Sequence, residues 1–323
     1  MLARVASNLF WLNRYLQRVE NTSRLIRVHA NLLMDLPTAD PAVAWLPLVS
    51  ITGADEQFAK LGTQSDSISV CNFLISDSKN PGSLVNNLNA ISGNLRSSRD
   101  CMSNDLYEAI KHLCSEGLSL AKPNLGSNSR QRLLKFFERQ SLTITGAMAS
   151  SISRDTGYQF LRVGGLLESA DMTTRILDVH AANLLPVDGK TDLVPFENLQ
   201  WVSILRSLSA FQMYMKHVKK PVNGSDVLSF LLQDDRLPHA FQFCLSELTD
   251  CIEIIENNNN NVNPAVVPQL ADLIDKVSNA NVATLAKNKQ QLHRFLDQLQ
   301  IALIEISGEI AYRYFPPPDE GNT

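Results

Sequence analysis

Hydrophobic residues along this chain recur with the period of an α-helix. From Leu9 they step by three and four: Leu9, Leu12, Leu16, Val19, Ser23, Ile26, Ala30 and Leu33. That spacing lays one apolar stripe along one helix face. The stripe returns 151 positions on, as Phe160, Val163, Leu167, Ala170, Thr174, Leu177, Ala181 and Leu184, with its one hydroxyl residue at the same step. Off the stripe, Thr22 recurs as Thr173, Arg24 as Arg175, Val28 as Val179 and His29 as His180, while Glu20 recurs as the acid Asp171. Packing explains the apolar repeat. It does not explain the matching polar residues, which are the better lead to function.

The repeat runs on. Trp45 and Trp201 each open a second apolar segment, and Phe73-Leu74 with Asp77 and Pro81 returns as Phe230-Leu231 with Asp234 and Pro238. The pattern predicts an all-α fold, a pseudo-symmetric multi-helix bundle from tandem duplication of a roughly 155-residue helical unit. One domain over 1–323 would hold two helical repeats, about 3–150 and 154–314. A solenoid needs three or more units to bury its faces.

The periodicity places helices at about 3–34, 41–61, 83–120, 128–151, 154–185 and 195–218. Pro37 and Pro41 end the first and Gly62 caps the second, with residues 63–82 read as loop and short turns. A short helix fits 225–232, then longer ones at about 238–256, 266–278 and 281–314. The asparagine run from Asn257 to Asn261 reads as a surface loop, and the proline-rich tail over 315–323 as disordered. No stretch alternates with the period of a strand.

Composition narrows the classes. Hydrophobic content of 44% with 19% charged residues fits a globular protein, and a net charge of −4 gives no reason to bind nucleic acid or an anionic membrane. No run reaches the ~20 apolar residues of a membrane span. Five cysteines without a C-x-x-C pair read as reduced thiols in a cytoplasmic protein. The arginine-bearing N-terminus has the look of an organelle-targeting helix, but its recurrence in mid-chain argues against that.

The candidate site is the polar side of the two long helices. At about 100° per residue, Arg14, Arg18, Thr22 and His29 share one side of the first. Gly165, Ser169, Thr173 and His180 share the matching side of the second. A neighbouring stripe carries Gln17, Glu20, Arg24 and Arg27 against Glu168, Asp171, Arg175 and Asp178. Glu20–Arg24 and Asp171–Arg175 also have the spacing of ordinary surface ion pairs, worth about 0.3–0.5 kcal/mol each. Ser23 and Thr174, on the core stripe, are expected to bond back to the carbonyl four residues earlier. His29 and His180 read as packed, hydrogen-bonded histidines, since no metal spacing surrounds them. Gly164 and Gly165 mark a close helix approach, not a phosphate loop. No nucleotide or hydrolase motif is present, and only Cys114, near His112, has a basic neighbour that suggests a nucleophile.

The segments Leu9-Phe-Trp-Leu-Asn-Arg-Tyr-Leu-Gln-Arg-Val-Glu-Asn-Thr-Ser-Arg and Phe160-Leu-Arg-Val-Gly-Gly-Leu-Leu-Glu-Ser-Ala-Asp-Met-Thr-Thr-Arg resemble the alpha-E family, bacterial all-helical proteins with a Glu-Arg motif. The resemblance spans nearly the whole chain, including Asn80-Pro81-Gly82-Ser83, Ser98-Arg99-Asp100 and Leu237-Pro238-His239-Ala240. Where the family carries Glu-Arg, the first copy has Gln17-Arg18 and the second Glu168-Ser169. One Glu and one Arg survive, on different helices, and can pair only if those helices meet.

The resemblance implies a context. Alpha-E proteins are encoded beside, or fused to, circularly permuted ATP-grasp proteins, with transglutaminase-like peptidases and a proteasome-like hydrolase as common neighbours. The implied role is an accessory or co-catalytic subunit in ATP-dependent amide-bond formation or modification. The partner would bind ATP and Mg, since this chain has no intrinsic cofactor site. Gln17, Arg18, Glu20, Arg24, His29, Glu168, Asp171, Arg175 and His180 would line a polar cleft for an anionic acceptor or the partner's surface. The alternative is a non-catalytic helical scaffold in which the same residues make buried salt bridges.

Overall fold

The computed structural model describes residues 1–35, 44–182, 194–258 and 266–316, with the backbone alone at 180–182, 194–197 and 258. Within these lie fifteen α-helices, a short 3-10 turn and no strand. The all-α expectation holds. Five stretches are divided differently from the sequence reading.

Helix α1 (Ala3–Asp35) fits the first apolar stripe, and its stops at Pro37 and Pro41 lie outside the described residues. The expected helix over 41–61 is instead two short ones, α2 (Leu46–Ile51) and α3 (Asp55–Ala59). Gly53 separates them at φ +69°, a left-handed conformation that a Cβ would strain. The expected loop over 63–82 contains α4 (Ser67–Ile75), because the Asp66 side chain accepts from the Ile68 and Ser69 amides and starts a helix there.

The helix expected over 83–120 is α5 (Leu84–Ser97), the 3-10 turn Arg99–Cys101 and α6 (Asn104–Leu120). Ser83 caps the first and Ser103 the second, each accepting an amide three residues on. Both α7 (Ser127–Ser151) and α8 (Thr156–Ala182) lie close to their expected bounds, and the end of the second stripe falls outside the described residues. The helix expected over 195–218 breaks into α9 (Val194–Ser207) and α10 (Phe211–His217) around Ser209, at φ +53°.

Next come α11 (Gly224–Leu232), α12 (Phe241–Asn258) and α13 (Val266–Ser278). The expected last helix divides at Asn288, which caps α15 (Lys289–Tyr314) and separates it from α14 (Val282–Lys287). The asparagine loop past Asn258 and the tail from residue 317 lie outside the described residues.

Helices α1 and α8 lie along each other and form the most extensive pair among the described residues. On its other sides α1 packs against α5 and α7, which α6 bridges; α8 packs against α12 and α15, which α13 bridges. The two apolar stripes form the centre of the core, with Leu9, Leu12, Val19, Ile26, Val163, Leu167 and Leu177 fully buried. Gly164 sets the approach: a Cβ there would come within 2.0 Å of the Phe10 carbonyl oxygen. Beside it, the Asn13 amide donates to the Leu161 carbonyl at 2.8 Å. No described helix is long and apolar enough to cross a membrane.

Candidate functional site

The approach of α1 to α8 decides which polar residues meet. Arg18 reaches Glu168 with its Nε at 2.6 Å from Oε1 and its Nη2 at 2.9 Å from Oε2, a two-bonded fork. Arg14, one turn earlier on the same face, donates its Nε to Oε2 at 3.0 Å and its Nη1 to the Ser307 hydroxyl of α15 at 3.2 Å. Glu168 is only 2% exposed, while Arg14 and Arg18 keep 13% and 28% of their side-chain surface. One buried carboxylate therefore anchors two guanidiniums whose far ends reach solvent. Burial pushes the Glu168 carboxyl up, but Arg18 and then Arg14 outweigh it and hold it below the usual carboxylate range. Burial also opposes the charge on Arg18, and Glu168 outweighs it.

A turn further along α8, Asp171 accepts from Arg175 Nε at 2.8 Å. Burial comes first among the influences on Asp171; Glu168 adds to it and Arg175 opposes it, so its pKa is raised. Arg14, Arg18, Asp171 and Arg175 together line a cavity of about 270 Å³ between α1, α8 and α15.

The Glu20–Arg24 pair is a separate, sealed unit. Arg24 Nη2 meets Glu20 Oε1 at 2.5 Å, and both side chains are under a tenth exposed. Their neighbour is His239, just before α12, whose Nδ1 sits 3.2 Å from the Ser169 hydroxyl and whose carbonyl accepts from the Thr173 hydroxyl at 2.9 Å. Burial lowers the His239 pKa; Glu20 opposes this and Arg24 reinforces it. His239 is not among the nine sequence candidates, although its Leu-Pro-His-Ala segment carries part of the family resemblance.

The other candidates lie elsewhere. His29 contacts the Ala44 carbonyl through Nε2 at 2.7 Å and presents itself edge-on to Trp45, and burial lowers its pKa. It is the packed, hydrogen-bonded histidine expected from the sequence. Gln17 lies beside Gly165, where an added Cβ would be 3.6 Å from its Cγ. The side chain of His180 lies outside the described residues. Thr174 bonds back to the carbonyl three residues earlier, Asp171, rather than four, and the buried Ser23 hydroxyl makes no hydrogen bond, so the expected back-bond is corrected in both.

The cysteines are free thiols, and their surroundings do not favour a nucleophile. Burial pushes the thiol of Cys244 up to about 12, and those of Cys71 and Cys251 to about 11. Cys114 is raised for the same reason, and His112 turns edge-on to Phe136. A thiol held protonated is a poor nucleophile. Among the described residues no three His, Cys, Asp or Glu side chains gather as a metal site would require.

This is an all-helical protein whose two long central helices are joined by an Arg–Glu bridge. The family described as a predicted alpha-helical domain with a conserved ER motif, Alpha-E, matches residues 1–315, and the chain belongs to it. The curated relatives include uncharacterised proteins of Mycobacterium bovis and of two strains of Mycobacterium tuberculosis, each 28% identical over 196 residues. The match takes in 54% of this chain and 22% of each relative, so it spans under a quarter of those longer proteins. No solved structure matches the chain.

Proposed function

We propose that this chain is an accessory subunit of a circularly permuted ATP-grasp protein in ATP-dependent amide-bond formation, with its polar cleft at the α1–α8–α15 cavity. In this reading the partner supplies ATP and Mg, and this chain holds an acceptor or the partner's surface in the cytoplasm, with no nucleic acid or membrane involved. The duplicated unit belongs to the same reading: α1 with α5, α6 and α7 would be one copy, and α8 with α12, α13 and α15 the other. What supports that pairing is the similar order of contacts around α1 and α8.

The observation that carries the proposal is the Arg18–Glu168 fork. It joins the two surviving halves of the Glu-Arg motif across the helix interface and leaves arginines facing open space. Guanidiniums pre-oriented by carboxylates suit recognition of an anion. Co-purification with the ATP-grasp protein of the same genome, followed by ATP hydrolysis with a mixed amino-acid pool, tests it. A complex with amino-acid-stimulated phosphate release is expected, and Arg175→Gln should abolish the stimulation. Absence of a complex would overturn the proposal; stimulation unchanged by Arg175→Gln would remove the site assignment.

One observation favours the scaffold alternative. Glu20 and Arg24 are sealed from solvent, as a purely structural pair would be, and α15 carries exposed Ile301, Ile304 and Tyr312. A partner that binds this face without any change in turnover would support it.

A further inference from the structure

The cavity between α1, α8 and α15 has a specific chemistry. Three arginines line it, and the carboxylates that hold them do so through few of their nitrogens. Glu168 takes Nε of Arg14 and Nε and Nη2 of Arg18; Asp171 takes Nε of Arg175. With Arg14 Nη1 on Ser307, this leaves Arg14 Nη2, Arg18 Nη1 and both terminal nitrogens of Arg175 without a hydrogen-bond partner among the described residues, while the Arg14 and Arg18 guanidiniums also lie over the Trp11 and Tyr15 rings at 5.1 and 5.8 Å. Arg175 Nη1 lies against Gly53, where an added Cβ would come to 3.1 Å, so the turn between α2 and α3 is shaped to admit it.

Charge selects the ligand class. Three guanidiniums against Glu168 and Asp171 leave one positive charge unmatched. A carboxylate, with one negative charge and two oxygens in a plane, matches that excess and the flat guanidinium fork. A phosphate, at about −1.5 to −2, exceeds it. The remaining wall is apolar: Leu167, Leu303 and Ile304, with Ile304 63% exposed at the rim. Ile301, one turn back along α15, is also exposed and extends the apolar surface outward.

We infer that this cavity binds the carboxylate of an amino acid or short peptide, with an adjacent apolar side chain laid on Ile304. The inference rests on the proposed reading of the cavity as the acceptor site, but the binding itself requires neither the ATP-grasp partner nor ATP.

Titration calorimetry on the purified chain at low salt tests it with three probes: N-acetyl-leucine, N-acetyl-leucine amide and inorganic phosphate. The acid is expected to bind, with the amide at least about tenfold weaker because it lacks the charge. Phosphate is expected to bind more weakly than the acid. Arg175→Gln should weaken the acid at least about tenfold. Ile304→Glu, on an exposed rim position where folding is not at stake, should do the same by repulsion, whereas Ile304→Gln should retain binding. Equal binding of acid and amide, tighter binding of phosphate, or no heat from the acid at millimolar concentration would each overturn the inference, as would full affinity in Ile304→Glu. Failure of the ATP-grasp complex would leave carboxylate binding standing; failure of carboxylate binding would leave the complex standing.

Discussion

Arg18 and Glu168, 150 positions apart, share two bonds across the packed faces of α1 and α8, and Arg14 adds a third to the same carboxylate. Glu168 is thus the common anion of two cations. Glu168→Gln leaves both arginines only the more distant charge of Asp171 to meet, and the expected cost is about 3–5 kcal/mol. Arg14→Gln leaves Arg18 paired and should cost less. Urea unfolding of the two variants measures the difference, and equal costs would show that Glu168 does not join the helices as described.

The two i,i+4 pairs should separate in energy. Glu20–Arg24 is sealed, whereas Arg175 is 29% exposed. Arg24→Gln strands a buried carboxylate and should cost about 3–5 kcal/mol, while Arg175→Gln should cost about 1 kcal/mol or less. Thermal melts of the two single variants read this directly. The asymmetry also makes Arg175, not Arg24, the informative position for activity.

The closeness of α1 and α8 depends on missing methyl groups, above all that of Gly164. Gly164→Ala would drive a Cβ into the Phe10 backbone, which cannot swing aside as a side chain can. Prising the helices apart should cost about 1–3 kcal/mol, or more if the Arg18–Glu168 fork opens with them. Gly308→Ala, in α15 with open space around it, should stabilise by about 0.5–1 kcal/mol through helix propensity. Opposite signs in a denaturant series are the expected result.

Acid should destabilise the fold beginning near neutrality. Burial lowers the folded pKa of both His29 and His239. The unfolded chain therefore takes up protons first as pH falls through about 6.5, and stability drops from there down to the folded values. Glu168, whose folded pKa is depressed, contributes stability above about 4.3 that is lost as pH falls through its folded value. Asp171, with a raised pKa, acts with the opposite sign. Between pH 7.5 and 5.5 the unfolding free energy should fall more steeply in the wild type than in His29→Gln; identical slopes would remove His29 from the account.

Much of the fold was legible because the 3.6-residue period survives in the sequence. The limits of α1, α7 and α13 lie within about a residue of those that apolar spacing and the flanking breakers place. The internal breaks were harder to see because Ser103 and Asn288 restart helices without disturbing that spacing. Their capping role is carried by one side-chain oxygen and one amide, too small a signal for a period to reveal. Gly53 and Ser209 turn the chain through left-handed backbone that a hydrophobic pattern does not encode.

The site divides in the same way. The sequence by itself determined the two apolar stripes, the polar residues beside them, the glycines that permit close approach and the two unmatched halves, Arg18 and Glu168. Arg14 was visible on Arg18's face, four residues back, but nothing local tied it to a carboxylate. Only the tertiary structure decided that α1 lies on α8, that one glutamate serves two arginines, that Ser307 and Arg175 close the same cavity, and that Glu20 and Arg24 are sealed beside His239. The physical reason is range. Helix periodicity is fixed within a turn or two of local chain, whereas an ion pair across 150 positions exists only once burial of two remote apolar faces has set the distance between them.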